Sequence, residues 1–203
     1  MATIEYFYAA HSAFAYLGSA RLMEIAAQSG SQIVHRPVDL RAVVPAAGST
    51  PTSERTPEHR AYFFGREIQR WSEHRNAPVV TGIPTHHYND IGLPNCFLIA
   101  GLELGLNIDR LAHALLEAHW KDDADLADPA TLQSLAEQEG CDGEQLLALA
   151  GGDVVGAIYK ANTEEAIARS VFGSPTYFVD GDMFYGQDRL ELVERTITRP
   201  YRK

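Results

Sequence analysis

The chain has 203 residues, of which 45% are apolar and 22% charged, with a formal net charge of −10. That is enough apolar material for one large domain, or for a domain carrying a big insertion, built round a real core. The acidic balance disfavours nucleic acid and anionic membranes as partners, and any anionic small ligand would need arginines of its own.

Thr3-Ile4-Glu5-Tyr6-Phe7-Tyr8 opens as a compact run of β-branched and aromatic residues, which predicts a first strand. Ser12 stands as N-cap of the helix that follows, Leu22, Ile25 and Ala26 fall on one helical face, and Gly30 marks the stop. Residues 32–38 read as a second strand, parallel to the first through a right-handed crossover, so 1–40 form a β-α-β opening. From about Val44 the chain turns small, polar and proline-containing, AAGSTPTSERTPEHR, which predicts a loop. Helical patterns then dominate to about residue 170. They cover 58–74, 95–105, and a face made of Ile108, Leu111, Ala112, Leu115 and Leu116. A further helix is capped by Asp128-Pro129 and closed by Gly140, and two more cover 142–150 and 153–170. The end returns to β structure at 176–180 and 182–185 about a Gly181 turn, and a last helix begins at Gln187 or Asp188. The expected fold class is α/β, with 1–43 and 171–203 joined in one sheet and 44–170 forming an all-helical insertion.

Pro175 stands where the strand Tyr177-Phe178-Val179 enters the core, although proline has no N–H to give a ladder. The motif leaves two readings open: a trans proline that starts the strand, or a cis bond that turns the Ser174 backbone outward. Cys96 and Cys141 lie far apart and outside any CxxC pattern, which excludes a disulfide framework and a zinc–thiolate site. His86 and His87 are adjacent, so their side chains point apart; His113 and His119 have no matching partner, and no metal site is expected. No secretory leader is legible at the start, and no stretch approaches the ~20 apolar residues of a membrane span, so the expectation is a reduced, soluble, cytoplasmic protein.

A β-α-β start, a helical insertion and a proline-led β-β-α end together resemble the thioredoxin-like fold. FGSPTYFVDGDMFYGQDRL closely resembles the corresponding stretch of the 2-hydroxychromene-2-carboxylate isomerases, which belong with kappa-class glutathione transferases in the DsbA-like branch of that superfamily. FYAAHSAFAYL resembles their strand–loop–helix segment, where a serine stands in place of the redox cysteine. RAYFFGREIQRW resembles their insertion helix, which ends in an Arg-Trp pair. The likeness runs along essentially the whole chain, specific at its two ends and weak in the middle. The chain departs from the pattern where an acidic residue usually precedes the serine and a proline follows it: Ala9, Ala10 and Ala13 stand there. The family's glutathione-binding asparagine after the second strand has no clear match, and Arg60 is the candidate for its lysine.

The resemblance implies glutathione as cofactor and Ser12 as the catalytic residue, its hydroxyl donating to a thiolate at the start of the first helix; a plain N-cap is the competing role. It implies that the main chain at Ser174-Pro175 pairs with the cysteinyl peptide and that Gln187 and Asp188 hold the γ-glutamyl group. Arg60 would hold the glycyl carboxylate. The alternatives are that Asp188 caps a helix or pairs with Arg189, and that Arg60 is a solvated helical charge. An aromatic carboxylate substrate would sit against Phe14, Tyr16 and Phe64. Asn95 would reach it or cap a helix, and His11 would be a base, a substrate contact or a loop residue without a role. The implied reaction is a cis–trans isomerisation with ring opening of a hydroxychromene-type carboxylate, through transient thiolate addition. The rival readings are a kappa-class-like transferase or peroxidase, a DsbA-like oxidoreductase, against which the missing CxxC argues, and a binding module that keeps the groove. A homodimer is implied by the family alone.

Overall fold

A computed structural model describes residues 2–50 and 54–202; residues 51–53 of the predicted loop lie outside them. Strand β1 (Thr3–Tyr8) pairs in parallel with β2 (Gln32–Pro37), Thr3 opposite Gln32 and Tyr8 opposite Pro37. On its other side β1 runs antiparallel to β3 (Thr176–Val179), and β3 antiparallel to β4 (Asp182–Tyr185), in the order β2-β1-β3-β4. The two ends of the chain thus share one sheet, with the helical residues between them, as the sequence predicts.

Both faces of this sheet are covered, which is why its central strands read as nearly unbroken apolar runs. Ile4, Tyr6 and Tyr8 alternate with Phe7 along β1, and Tyr177 and Val179 with Phe178 along β3. The first set enters a large cluster with Leu22 and Ile25 of α1 (Ala13–Ser29); Phe7 and Phe178 enter a small one with Val38, Val43, Ala166 and Val171. Phe97 of α5 (Gly92–Glu103) and Leu115, Leu116 and Trp120 of α6 (Asp109–Lys121) belong to the large cluster, so insertion and sheet share a core. A buried chain of hydrogen bonds ties them further: Tyr8 Oη to His35 Nδ1 at 2.9 Å, and His35 Nε2 to Asp109 Oδ1 at 2.9 Å.

Three elements differ from the sequence reading. A short helix α2 (Leu40–Ala46) stands where the loop was expected to begin, capped by Asp39, which accepts from the Arg41 N–H at 2.9 Å. Seven residues ending in Pro45-Ala46 are too short for a period, and burial of Val43 is what fixes them. The helix predicted over 58–74 runs in three windings: α3 (Pro57–Arg60), a π-helical stretch Ala61–Glu67, and α4 (Ile68–Arg75), which Asn76 ends at φ 52°. Helix α5 starts three residues before Asn95, which moves that side chain from the cap into the helix. Helices α7 (Pro129–Gln138), α8 (Gly143–Ala150) and α9 (Asp153–Ala168) complete the insertion. A 3-10 turn Gln187–Arg189 leads into the last helix, α10 (Leu190–Thr198). Among the described residues no helix is long and apolar enough to cross a membrane.

Candidate active site

Ser12 sits between β1 and α1 with extended backbone angles (φ −74°, ψ 123°) and caps the helix by accepting from the Ala15 N–H at 3.3 Å. Its hydroxyl donates to the Ser174 carbonyl at 3.2 Å, while Ser174 Oγ accepts from the Ala9 N–H at 3.2 Å. Two segments 162 residues apart are thereby held side by side. The Ser174–Pro175 bond is cis, the second of the two readings that the sequence left open. One bond further on, the Pro175 carbonyl accepts from the Gly186 N–H at 2.9 Å, which brings the end of β4 to the same place.

A cleft of about 250 Å³ opens there, lined by Phe14, Phe63, Glu67, Trp71, Ser174 and residues 185–189. Phe14 and Phe63 meet edge to face with centroids 5.3 Å apart. Arg55 lies over the Phe63 ring at 5.2 Å, and Asp188 pairs with Arg189 at 3.2 Å. Gln187 is buried at 1% exposure and clamped by Arg75, which donates to its side-chain oxygen at 3.1 Å and to its carbonyl at 3.3 Å. Arg75 also reaches Glu191 at 2.9 Å. Gly186 holds φ 100°, a value that side chains resist, and the Asp188 carboxylate occupies the place its Cβ would take. This wall of the cleft therefore consists of bare backbone flanked by one carboxylate.

The sequence-predicted residues separate into those the fold gathers and those it sends elsewhere. Ser174, Gln187, Asp188 and Phe14 line the cleft, with Ser12 hydrogen-bonded to Ser174 and Pro175 next along the chain. Phe64, partly buried, packs against the large cluster, and its neighbour Phe63 in the same π-helical stretch lines the cleft. Tyr16 is buried in the core, its hydroxyl donating to the Pro78 carbonyl at 3.0 Å. Asn95 neither caps α5 nor meets the cleft: fully buried, it accepts from the Ala10 N–H at 3.0 Å and donates to the Ile91 carbonyl at 2.8 Å. It thus braces the Ser12 loop from the insertion. His11 packs its ring 5.0 Å from that of His87, and Arg60 ends α3 outside the lining set. Glu67, Trp71, Tyr185 and Arg189 line the cleft without having been singled out; the segments YFFGREIQRW and YGQDRL carried the signal, but which side chains face inward was not in the pattern.

The electrostatics fit a site for polar ligands with apolar walls. Burial pushes the Tyr185 hydroxyl above its ordinary range, with Arg55 opposing and Asp188 adding to the shift, so it stays a neutral donor. Neither Cys96 nor Cys141 lines the cleft, and among the described residues no group of three or more His, Cys, Asp and Glu could hold a metal. Any reactive sulfur in this cleft would have to arrive with a ligand.

A four-stranded sheet completed from both chain ends, a proline-led third strand and a capped helix head beside it define a thioredoxin-like protein without the paired cysteines. The chain belongs to the DSBA-like thioredoxin domain family, whose model matches residues 3–198. It is similar to the 2-hydroxychromene-2-carboxylate isomerase of Sphingobium xenophagum, 26% identical over 192 residues, covering 95% of this chain and 96% of that protein. The protein of the same name from Pseudomonas putida is 27% identical over 197 residues, 97% and 94% of the two chains. A solved 2-hydroxychromene-2-carboxylate isomerase superposes with a TM-score of 0.78 at 24% identity, covering 97% of this chain and 95% of that one.

Proposed function

We propose that this protein is a glutathione-dependent isomerase that interconverts 2-hydroxychromene-2-carboxylate-type and trans-o-hydroxybenzylidenepyruvate-type compounds. The observation that carries the reading is the Ser12–Ser174 pair at the head of α1, next to an aromatic cleft whose lining holds no cysteine. The names of relatives of nearly equal length support the substrate class.

Glutathione has a thiol, two carboxylates and an amine, and the residues present fit it. Ser12 offers a hydroxyl donor for the sulfur, Arg189 in the lining is a cation for a carboxylate, and Asp188 is an anion for the amine. The absent Gly186 side chain lets the Asp188 carboxylate fold against the backbone at the cleft wall. When bound, glutathione supplies a soft thiolate nucleophile, which makes a fixed conjugated double bond rotatable by reversible addition.

The chain's own residues do the rest. The Ser12 hydroxyl, now directed at the Ser174 carbonyl, is one C–O rotation from donating to an anion at the helix head, while its oxygen keeps the Ala15 N–H. The 17-residue α1 adds the partial positive charge of its N-terminus. Both favour the thiolate over a thiol whose free pKa is about 8.5. Phe14, Phe63 and Trp71 give the substrate ring apolar walls, and Arg55, stacked on Phe63, supplies a cation for its carboxylate.

Ser12→Ala should lower kcat by about 10²-fold and change glutathione affinity by less than about threefold, because the donor it removes acts on the reacting sulfur and not on the groups that hold the rest of the tripeptide. Steady-state kinetics with a chromene substrate and calorimetry with glutathione read the two quantities; equal losses in both would remove Ser12 from the role. Product analysis divides isomerase from transferase: the glutathione concentration stays constant through many turnovers of an isomerase, and net consumption would establish conjugation instead.

A further inference from the structure

Three histidines that the proposed chemistry leaves unused meet beside the Ser12 loop. His11 belongs to that loop, His87 to residues 84–90 between α4 and α5, and His119 to the last turn of α6. The His87 and His119 rings stack at 5.4 Å and 20°, and the His11 ring lies 5.0 Å from the first and 6.5 Å from the second. Trp120 stands edge-on to His87 at 5.2 Å and donates from Nε1 to the His11 carbonyl at 2.8 Å. The backbone immediately before Ser12 is therefore tied to α6.

Residues 84–90 are strapped down from several sides. Arg41 of α2 donates to the Tyr88 and Asn89 carbonyls at 3.1 and 2.7 Å. Thr85 donates through its N–H and its hydroxyl to Asp123, at 2.6 Å each. Asn89 donates to Asp125 at 3.1 Å, and His86 Nδ1 lies 3.4 Å from the same carboxylate. Within the strap, His87 Nδ1 lies 3.1 Å from His119 Nε2, and His119 Nδ1 lies 3.0 Å from the Ala124 carbonyl. A carbonyl only accepts, so His119 carries its proton on Nδ1, its Nε2 is the acceptor, and His87 Nδ1 is the donor. A second proton on His119 forces His87 to shift its own proton from Nδ1 to Nε2, and a charge on both rings would set two N–H groups face to face across that 3.1 Å. Among the described residues His11 Nδ1 is buried with no hydrogen-bond partner, so a charge placed there has no counter-group among them.

We propose that the uncharged His11–His87–His119 stack is a positioning device that holds the Ser12 loop against α6, and that protonating the stack releases the loop reversibly. The surrounding charges agree. Burial first, then His87, His119 and Arg41, keep His11 protonation far below its ordinary range. Burial, His119 and Arg41 lower His87 to about 4. For His119, burial outweighs the Ala124 carbonyl and the carboxylates of Asp123 and Asp125, with His86 opposing protonation as well. At neutral pH the stack is uncharged and its tautomers are fixed. Its effect on turnover rests on the reading of Ser12 given above; the stack itself does not.

Two substitutions at His87 separate positioning from simple packing. Asn places an amide N–H where Nδ1 stood and cannot titrate; Ala removes the link. His87→Asn should keep neutral-pH kcat within about threefold of the parent, and His87→Ala should lose about tenfold in kcat with little change in KM. The parent should lose activity reversibly and steeply on acidification towards pH 4, and His87→Asn should lose that limb, because a rotated amide also accepts from a protonated His119. Histidine-ring and indole NMR of the intact chain reads the stack without any substrate. The Trp120 N–H resonance should shift together with the His87 and His119 signals in the parent, and should stay in place in His87→Asn. Independent titration of the rings near the ordinary value of about 6.5 would overturn the proposal, as would an acid limb unchanged in His87→Asn. Failure of the isomerase assay alone, with the concerted NMR change present, would overturn the activity and leave the stack.

Discussion

Ser12 accepts from the Ala15 N–H and donates to the Ser174 carbonyl, so its replacement removes a helix cap and a tertiary link at once. The cap alone is worth about 1 kcal/mol. Ser12→Ala is therefore expected to lower the urea midpoint modestly at constant m-value, and a chain that fails to fold would show that the Ser174 link carries far more. Gly186 is the second residue whose identity the geometry dictates. At φ 100°, with the Asp188 carboxylate in the place of a Cβ, Gly186→Ala should cost more than about 1 kcal/mol and distort the cleft wall. Thermal unfolding measures the first effect, and weakened glutathione binding the second.

At the scale of elements, the cleft depends on how closely α1 meets the turn before α10. A Cβ on Gly18 would lie 2.7 Å from Gln187 Cβ, and Gln187 cannot retreat because Arg75 holds it at both ends. Gly18→Ala should destabilise by about 1–3 kcal/mol as overpacking, despite its better helix propensity; a gain in stability would mean that this contact is loose. The opposite face of the sheet is closed by Arg169 at the end of α9. It bonds both Glu5 oxygens, at 2.7 and 2.9 Å, reaches Glu165 at 2.9 Å and covers the Phe178 ring at 3.7 Å. Both partners are about a quarter exposed, so solvent screening limits the pair, and Arg169→Ala should cost about 1–2 kcal/mol. The Arg169 hydrogen bond holds the Glu5 carboxyl below its ordinary value of 4.5. The stabilisation is thus complete above 4.5 and is lost as pH falls through the lowered folded value. Urea midpoints of Glu5→Gln and the parent should differ at neutral pH and converge in acid.

The whole molecule carries a second titration of the same sign, from a base in place of an acid. His87, at about 4 when folded and 6.5 when free, binds its proton more readily in the unfolded chain. Stability therefore rises with pH across that window, is fully present above 6.5, and drains away towards 4 before most carboxylates titrate. Unfolding free energy measured from pH 7.5 to 4 should fall in the parent and flatten in His87→Asn. The same slope in both would locate the linkage at other groups.

Much of this protein could be read from its residues in order. The alternation of Ile4, Tyr6 and Tyr8 with Phe7, the Ser12 and Asp128 caps and the Gly30 stop are local events, each set by a few neighbouring dihedrals and their hydrogen bonds. That the proline-led end joins the β-α-β start in one sheet also follows, since four strands and two apolar faces leave few other ways to bury them. Which residues meet at the cleft did not follow. Phe63 and not Phe64 lines the cleft, and Tyr16 and Asn95 were drawn into bracing roles by partners 62 and 85 residues away. The His11–His87–His119 stack joins three segments whose spacing shows no period. Local sequence determines where the chain turns and which faces are apolar. Only the tertiary structure decides which side chains touch, because buried polar groups take whichever partner the packing of distant elements brings within about 3 Å.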